Sequence, residues 1–529
     1  MDENAQASGP LVQDGLERSA VRLPDKVALV ADGRRWSYGE LNEYAGRLAR
    51  SLVALGVRPG DRVVVFLDNS AETVIAFHGI LKAGAAFVIV GSTLKAPKLR
   101  YILRNCEARA LITHTGKAAV LLEAVAGGAW TGPVAWDGPP DGIPPPLASA
   151  SHRWAELVAE GAASAELPAR QPDTALAALV YTSGSTGEPK GVMCPHRSML
   201  SAAHSIVEYL GNREDDVILN VLPLSFSYGL YQVIAMFLCG GRLILERSFL
   251  YLHPVLQRIP EEKVTGFAMV PSIAAMLLQM RDLDRYDLRS VRYMTNAGAA
   301  MPVDYIRRLR QLLPRVKFFL MHGLTECVRT CYLPPEEVDR RPSSVGRAMP
   351  DCELLVADEQ GREVAPGDVG ELVVRGPHVM AGYYRDPALT DRVFRPDPAT
   401  GRRTLHSGDL FKRDADGFLY FVARKDDMIK SRGERIFPKE IEDVLCEMPG
   451  LAAAAVVGVP DDVLGQAIKA FVVAAPGTAL AARDVMKHCA QRLEPLMVPK
   501  YVVFLDELPK IGSGKIDKKA LRAMKDTPA

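Results

Sequence analysis

Residues 179–192 read LVYTSGSTGEPKGV, and the rest of the chain is organised around this stretch. The apolar run at 176–180 predicts a short buried strand that opens into a loop. Glycine lets backbone N–H groups converge on an anion without a Cβ in the way. Here Gly184 and Gly187 do so, and the hydroxyls of Thr182, Ser183, Ser185 and Thr186 add donors. Lys190 supplies a mobile positive charge. The physical reading is a cradle for a polyphosphate. The order Gly184, Gly187, Lys190, Gly191, Val192 is not the Walker pattern GxxxxGK[ST]. A Gly/Ser/Thr cluster alone marks no more than a surface turn, so the deciding features must come from elsewhere in the chain.

At 529 residues the chain is too long for one core, and two or more domains are expected. Its 64 Lys plus Arg balance 63 Asp plus Glu, so no global charge draws it to nucleic acid or an anionic membrane. The eight cysteines are scattered without CxxC pairs, which argues against a zinc or disulfide framework and for a reducing compartment. The start, MDENAQASGP, is acidic and polar, unlike a secretory leader. Apolar runs such as 87–90 and 233–239 are far short of a membrane span. A soluble, cytoplasmic protein is expected.

Ser37 and Glu40 form a capping-box pattern, followed by Leu41, Tyr44, Ala45, Leu48 and Leu52 at helical spacing. Residues 62–67 and 86–90 read as buried strands around a helix at 71–82. Residues 127–172, rich in Pro, Gly and Ala, read as a surface connection with one short helix near 154–160. Strand candidates follow at 217–221, 242–245, 266–270, 291–296 and 316–322, with helical patterns around 228–238, 272–281 and 303–313. Strands alternating with helices imply parallel sheets covered on both faces. Two α/β units are expected, about 25–175 and 176–325. From 340 to 420, alternating runs such as CELLVAD and GELVVRG suggest a small β-rich unit. A compact α+β pattern fills the chain beyond 427.

Further chemistry lies outside the opening loop. His322-Gly-Leu-Thr-Glu326 ends a predicted strand, where open α/β sheets bind ligands. Glu326 suits Mg²⁺ on bound phosphates, because Mg²⁺ takes one or two carboxylates and completes its shell with phosphate and water. Asp409, in HSGD, is an acceptor for ribose hydroxyls. Gly512-Ser-Gly-Lys515 places a second glycine-flanked lysine near the C-terminus.

YTSGSTGEPKG, HGLTE, HSGDL, RKDDMIKSRGERIFPKEIE and GSGKIDKKALR stand in the order and spacing of the core motifs of the adenylate-forming superfamily. The chain resembles its acyl-CoA synthetases, nonribosomal adenylation domains and luciferases from about residue 16 to 524, and is closest to the acyl and aryl-CoA ligases. The resemblance implies an α/β fold. A large N-terminal domain, 1–425, would hold two doubly wound α/β subdomains and a small β-barrel-like unit, followed by a small mobile α+β domain, 426–529. It implies ATP, Mg²⁺ and a thiol co-substrate, CoA or the phosphopantetheine of an acyl carrier protein. Thr182, Ser183, Gly184, Ser185, Thr186, Gly187 and Lys190 would hold the β- and γ-phosphates. Thr325 would contact the α-phosphate and Glu326 the metal, while Asp409, supported by Arg424, would take the ribose. Lys515 would be the adenylation lysine, Asp426 the hinge, and Gly433 would face the thiol channel.

The chain departs from the family pattern in three places, at His322, at Ala423 and in the stretch with Phe226 and Ser227. His322 stands where a tyrosine often stacks on adenine, Ala423 where glycine is usual, and Phe226 where many acyl-CoA synthetases carry a gating histidine. Ser227 replaces the aspartate that binds the α-ammonium in amino-acid-activating members, so α-amino acids are disfavoured. Phe226, Tyr228, Gly229, Val270, Ser272, Ala297, Gly298, Ala299 and His322 would line the acyl pocket, fit for an aryl ring or modest alkyl chain. Carrier loading, an amine or hydroxyl acceptor, and a non-catalytic nucleotide-binding regulator remain open beside CoA ligation. Retention of Lys515 and Glu326 weighs against the last.

Overall fold

The computed structural model describes residues 9–126, 130–159, 165–183, 188–280, 282–397, 401, 403–431, 434–461, 464–511 and 515–524. Two large sheets lie at its centre. Among the described residues, one runs in the order Gly382–Tyr383, Pro189–Pro195, Leu176–Ser183, Ala86–Ile89, Arg62–Phe66, Ala108–His114, Val134–Asp137, Ser151–Arg153. Every pairing from Leu176–Ser183 out to Ser151–Arg153 is parallel. Val63, Val64, Val65 and Phe66 are buried, as a parallel strand covered by helices on both faces requires.

The other sheet runs Arg347–Ala348, Cys331–Leu333, Lys317–His322, Tyr293–Asn296, Gly266–Met269, Val217–Asn220, Arg242–Leu245, Val27–Ala31, Arg34–Ser37. It is parallel from Lys317–His322 to Val27–Ala31. The chain therefore does not change sheets at residue 176. Val27–Ala31 leaves its sequence neighbours to pair with Arg242–Leu245, and Leu176–Ser183 pairs back onto Ala86–Ile89. Strand partners so distant in sequence carry no local signal.

Two local readings also shift. The strand expected to stop at 180 runs on to Ser183 as half of an antiparallel hairpin, with Val180 opposite Val192 and Thr182 opposite Lys190. The described ends of the motif, Thr182 and Ser183 on one side and Pro189 and Lys190 on the other, thus lie on the paired strands of a hairpin. The connection expected at 127–172 contributes two strands, Val134–Asp137 and Ser151–Arg153, to the sheet edge. Trp136 is buried there, and its Nε1 donates to Ser151 Oγ at 2.8 Å. Proline-rich flanks conceal strands this short.

The capping box forms as read. Ser37 Oγ accepts from the Glu40 N–H at 3.1 Å, and Glu40 Oε2 accepts from the Ser37 N–H at 2.7 Å, starting helix Tyr38–Ala54. A five-stranded sheet follows the second α/β layer. It joins Glu353–Ala357, Val369–Arg375, Arg403–Arg413 and Phe394–Pro396, with Leu419–Arg424 paired to Arg403–Arg413. The C-terminal part builds its own sheet from Ile429–Ser431, Glu434–Ile436, Leu451–Asp461, Gly465–Ala474 and Tyr501–Phe504. Its cores are separate from the main one, around Ile441, Leu445, Val456 and Val485 on one face and Ala455, Phe471 and Leu521 on the other. It meets helix Val303–Leu312 of the second α/β layer through Tyr305 Oη, which donates to the Ala452 carbonyl at 3.1 Å. No helix among the described residues is long and apolar enough to cross a membrane.

Candidate active site

The site collects where the second sheet, the β-rich unit and the C-terminal segment meet. Strand Lys317–His322 ends in a tight turn that presents Thr325 and Glu326, both half-buried. The turn closes when the Thr330 N–H donates to the His322 carbonyl at 3.0 Å. A Cβ on Gly323 would lie 2.1 Å from the Val328 carbonyl oxygen, so only glycine fits there. Val328 takes φ +65°, a costly left-handed conformation for a β-branched residue. Glu326 Oε1 accepts from Tyr383 Oη at 2.6 Å, and its carbonyl accepts the Met380 N–H at 2.9 Å. Burial and the Glu326 charge push the Tyr383 hydroxyl well up, so it remains a donor. A single carboxylate held this way beside Thr325 matches the donor set Mg²⁺ takes when phosphate oxygens complete its shell.

Asp409 and Arg424 face each other across antiparallel strands. The Asp409 side chain is 3% exposed. Its Oδ2 accepts from His322 Nε2 at 2.9 Å, and since a carboxylate can only accept, that nitrogen carries the proton. His322 Nδ1 pairs with Thr330 Oγ1 at 2.9 Å. Burial would raise the Asp409 carboxyl, but the His322 hydrogen bond and the Arg424 charge outweigh it and hold it below the usual range. Asp409 Oδ1 lies 3.3 Å from Arg424 Nε yet accepts no hydrogen bond. A buried acceptor left open is what a ribose hydroxyl needs. The His322 ring stacks on Phe421 with centroids 6.1 Å apart, and Phe411 meets it edge-on at 4.9 Å. Its edge is thus committed to Asp409 and one face to Phe421.

Lys515 arrives from the C-terminal segment, held by the Ile511 N–H donating to its carbonyl at 2.9 Å. Its Nζ lies 5.6 Å from the centroid of the Phe226 ring. Burial lowers its pKa to about 8, helped by Arg424 and opposed by Asp409 and Glu326. Phe226 precedes helix Ser227–Cys239 and meets Tyr228 edge-on at 6.3 Å. Gly298 turns at φ +88°, and a Cβ there would touch both Phe226 Cζ at 3.4 Å and Lys515 Cε at 3.5 Å. Tyr228, Gly229, Val270 and Ala297 are buried, Ser272 is half-buried, and Ala299 is exposed with its carbonyl accepting from Asn296 Nδ2 at 3.1 Å.

Thr182 and Ser183 close the first strand of the hairpin and Lys190 lies in the second. Gly184, Ser185, Thr186, Gly187 and Gly433 lie outside the described residues. Asp426 is exposed in the turn between Leu419–Arg424 and Ile429–Ser431. Reading the sequence missed Tyr383, Thr330 and Phe421, which touch Glu326 or His322. Thr330, eight residues from His322, left only proximity as a signal, while Tyr383 and Phe421 left none.

The sequence model described as AMP-binding enzyme matches residues 16–384, and the one described as AMP-binding enzyme C-terminal domain matches residues 440–515. The chain belongs to the AMP-binding enzyme family. As an adenylate-forming enzyme of the acyl-CoA ligase type, it has relatives along nearly its whole length. It is 34% identical to feruloyl-CoA synthase of an Amycolatopsis species, covering 96% of this chain and 97% of the relative. It is 32% identical to a 3-[(3aS,4S,7aS)-7a-methyl-1,5-dioxo-octahydro-1H-inden-4-yl]propanoyl:CoA ligase of Mycobacterium tuberculosis, covering 97% and 98%. Among solved structures it matches the anthranilate CoA ligase AuaEII in complex with anthranoyl-AMP. There the TM-score is 0.88 and the identity 27%, with 99% of this chain and 98% of that one covered.

Proposed function

We propose that this AMP-binding enzyme joins an acyl or aryl carboxylic acid to CoA in two half-reactions. In the first, a carboxylate oxygen attacks the α-phosphorus of ATP and the bond to pyrophosphate breaks, leaving acyl-AMP. In the second, the thiol sulfur attacks the acyl carbon, loses its proton, and AMP departs. The observation that carries the reading is the approach of Lys515, from the C-terminal segment, to Phe226 and Gly298. Both Asp409 and Glu326 are near enough for their charges to act on it.

The difficulty of the first step is bringing an anion onto a polyanion, and preorganised positive charge relieves it. Lys515, protonated, would bridge the attacking carboxylate and the α-phosphate. Asp409 Oδ1 would accept from the ribose, with His322 orienting the carboxylate and Arg424 supporting it. Thr325 would donate to the α-phosphate, and the hairpin through Thr182 and Lys190 would hold the outer phosphates. Glu326, oriented by Tyr383, would hold Mg²⁺, which supplies charge neutralisation on the phosphates. Phe226, Tyr228 and Gly298 would form the acyl slot. The buried Ser227 offers no counter-charge for an α-ammonium, so acids without one are the better fit. Domains of 1–425 and 426–529 would alternate about Asp426, whose exposed turn joins two sheets with separate cores. All eight cysteines are free thiols, in keeping with a reducing compartment such as the cytoplasm.

ATP–pyrophosphate exchange across a panel of carboxylic acids tests the first step and names the acid. Adding CoA or a phosphopantetheinylated carrier, with mass analysis of products, then assigns the acceptor. ATP binding without exchange for any acid would refute the proposal.

A further inference from the structure

Arg329 lies beside the acyl slot, and the mechanism above leaves it unused. It is 4% exposed. Its Nη1 donates to the Val328 carbonyl at 3.1 Å, while its buried Nε donates to nothing. Among the described residues no aspartate or glutamate lies within ion-pair distance of it. Buried acidic groups elsewhere are answered: Asp216 by Arg292 at 2.7 Å, Glu262 by Arg35 at 2.6 Å, Asp409 by His322 at 2.9 Å. A guanidinium taken out of water without a counter-charge is costly, and one such group is retained here.

Its position says what it is kept for. The guanidinium carbon lies 4.6 Å from the centroid of the Tyr228 ring, the aromatic wall that meets Phe226 edge-on. Phe226 in turn lies under Lys515. Two cations therefore stand beyond opposite members of one aromatic pair, Lys515 at the end where the acid is adenylated and Arg329 past the other. The strained turn at Val328, φ +65°, immediately precedes Arg329 in the chain. One helical turn beyond Tyr228, the Tyr231 hydroxyl is likewise buried without a partner. Burial and Cys194 push that hydroxyl up, and the Arg329 charge pulls against them.

We infer that Arg329 is a second anchor for the substrate and that the acid carries a second carboxylate, at the end away from the one that is adenylated. The distal carboxylate would accept two parallel N–H bonds from the planar guanidinium, the pairing for which arginine is suited. The hydrocarbon or aryl body would lie against Phe226 and Tyr228. This inference rests on the carboxylate-activating reading of the same site.

The test is pyrophosphate exchange with matched sets of acids of equal length, ending distally in carboxylate, carboxamide or methyl, measured as kcat/KM. The wild-type enzyme is expected to prefer the dicarboxylate over its matched partners by about 100-fold or more, the scale of a buried charge pair. Arg329→Met should collapse that ratio to near one or below, and Arg329→Lys should keep part of it. A merely structural Arg329 would change all three substrates alike and leave the ratio intact. Wild-type preference for the carboxamide or methyl acid overturns the inference without any variant, and leaves the ligase reading standing. Absence of exchange with every acid overturns both.

Discussion

Replacing Lys515 with alanine separates the two half-reactions. The ammonium of Lys515 lies 5.6 Å from the Phe226 ring centroid, and burial lowers its pKa to about 8. The cation–π contact is worth about 0.5–1 kcal/mol at a partly exposed site, and it acts on ground and transition states alike. The catalytic contribution is the charge already in place where negative charge builds between the attacking carboxylate and the α-phosphate. Removing one preorganised donor of this kind costs about 3–4 kcal/mol, or roughly 10²–10³-fold in rate. Lys515→Ala should therefore slow acid-dependent pyrophosphate exchange by that factor. Thioester formation from supplied acyl-AMP should be largely spared, because the phosphoanhydride is already broken. The assay is single-turnover kinetics of each half-reaction on the same preparation. Comparable losses in both would refute the reasoning and recast Lys515 as a structural tether of the C-terminal segment.

Three further outcomes follow from the same geometry. Lys515 carries its charge below about pH 8, so exchange measured as kcat/KM for ATP should fall as pH rises through that value; Lys515→Arg should abolish the break, since arginine stays charged. His322→Phe would leave the buried Oδ2 of Asp409 without its 2.9 Å donor, a loss of about 1–3 kcal/mol seen as a roughly 10–100-fold higher KM for ATP. An unchanged KM with a lowered melting temperature would make His322 a packing residue instead. Tyr383→Phe removes the 2.6 Å bond to Glu326 and should raise the Mg²⁺ concentration for half-maximal exchange about 5-fold, for a net bond of about 1 kcal/mol. A magnesium titration superimposable on wild type would detach Tyr383 from the metal position.

Much of the candidate site was legible because its residues sit in short runs. HGLTE and HSGDL keep the candidate residue within a few positions of the turn that aims it. The proposed hinge is similar, with Asp426 in a turn between two strands whose patterns differ. What escaped were contacts between segments. Nothing near position 383 announces that a tyrosine orients Glu326 from 57 residues away. His322 reads as a ring able to stack on adenine, and the pattern gives no sign that its Nε2 is engaged by a carboxylate 87 residues downstream and one face by Phe421.

Residue pattern alone determined the type of most of the longer elements, the capping box at Ser37, and the composition of the glycine-rich stretch around Lys190 and of the one before Lys515. These depend on side-chain spacing and backbone freedom within a turn or two, so they are present in any window that contains them. Tertiary structure alone decided sheet membership, sending Val27–Ala31 to Arg242–Leu245 and Leu176–Ser183 to Ala86–Ile89, because strands pair by burial and not by order. It also decided that Arg329, an unremarked residue after HGLTE, is buried against Tyr228 without a counter-charge. Burial, and the charge it leaves unanswered, are properties of the whole packed chain.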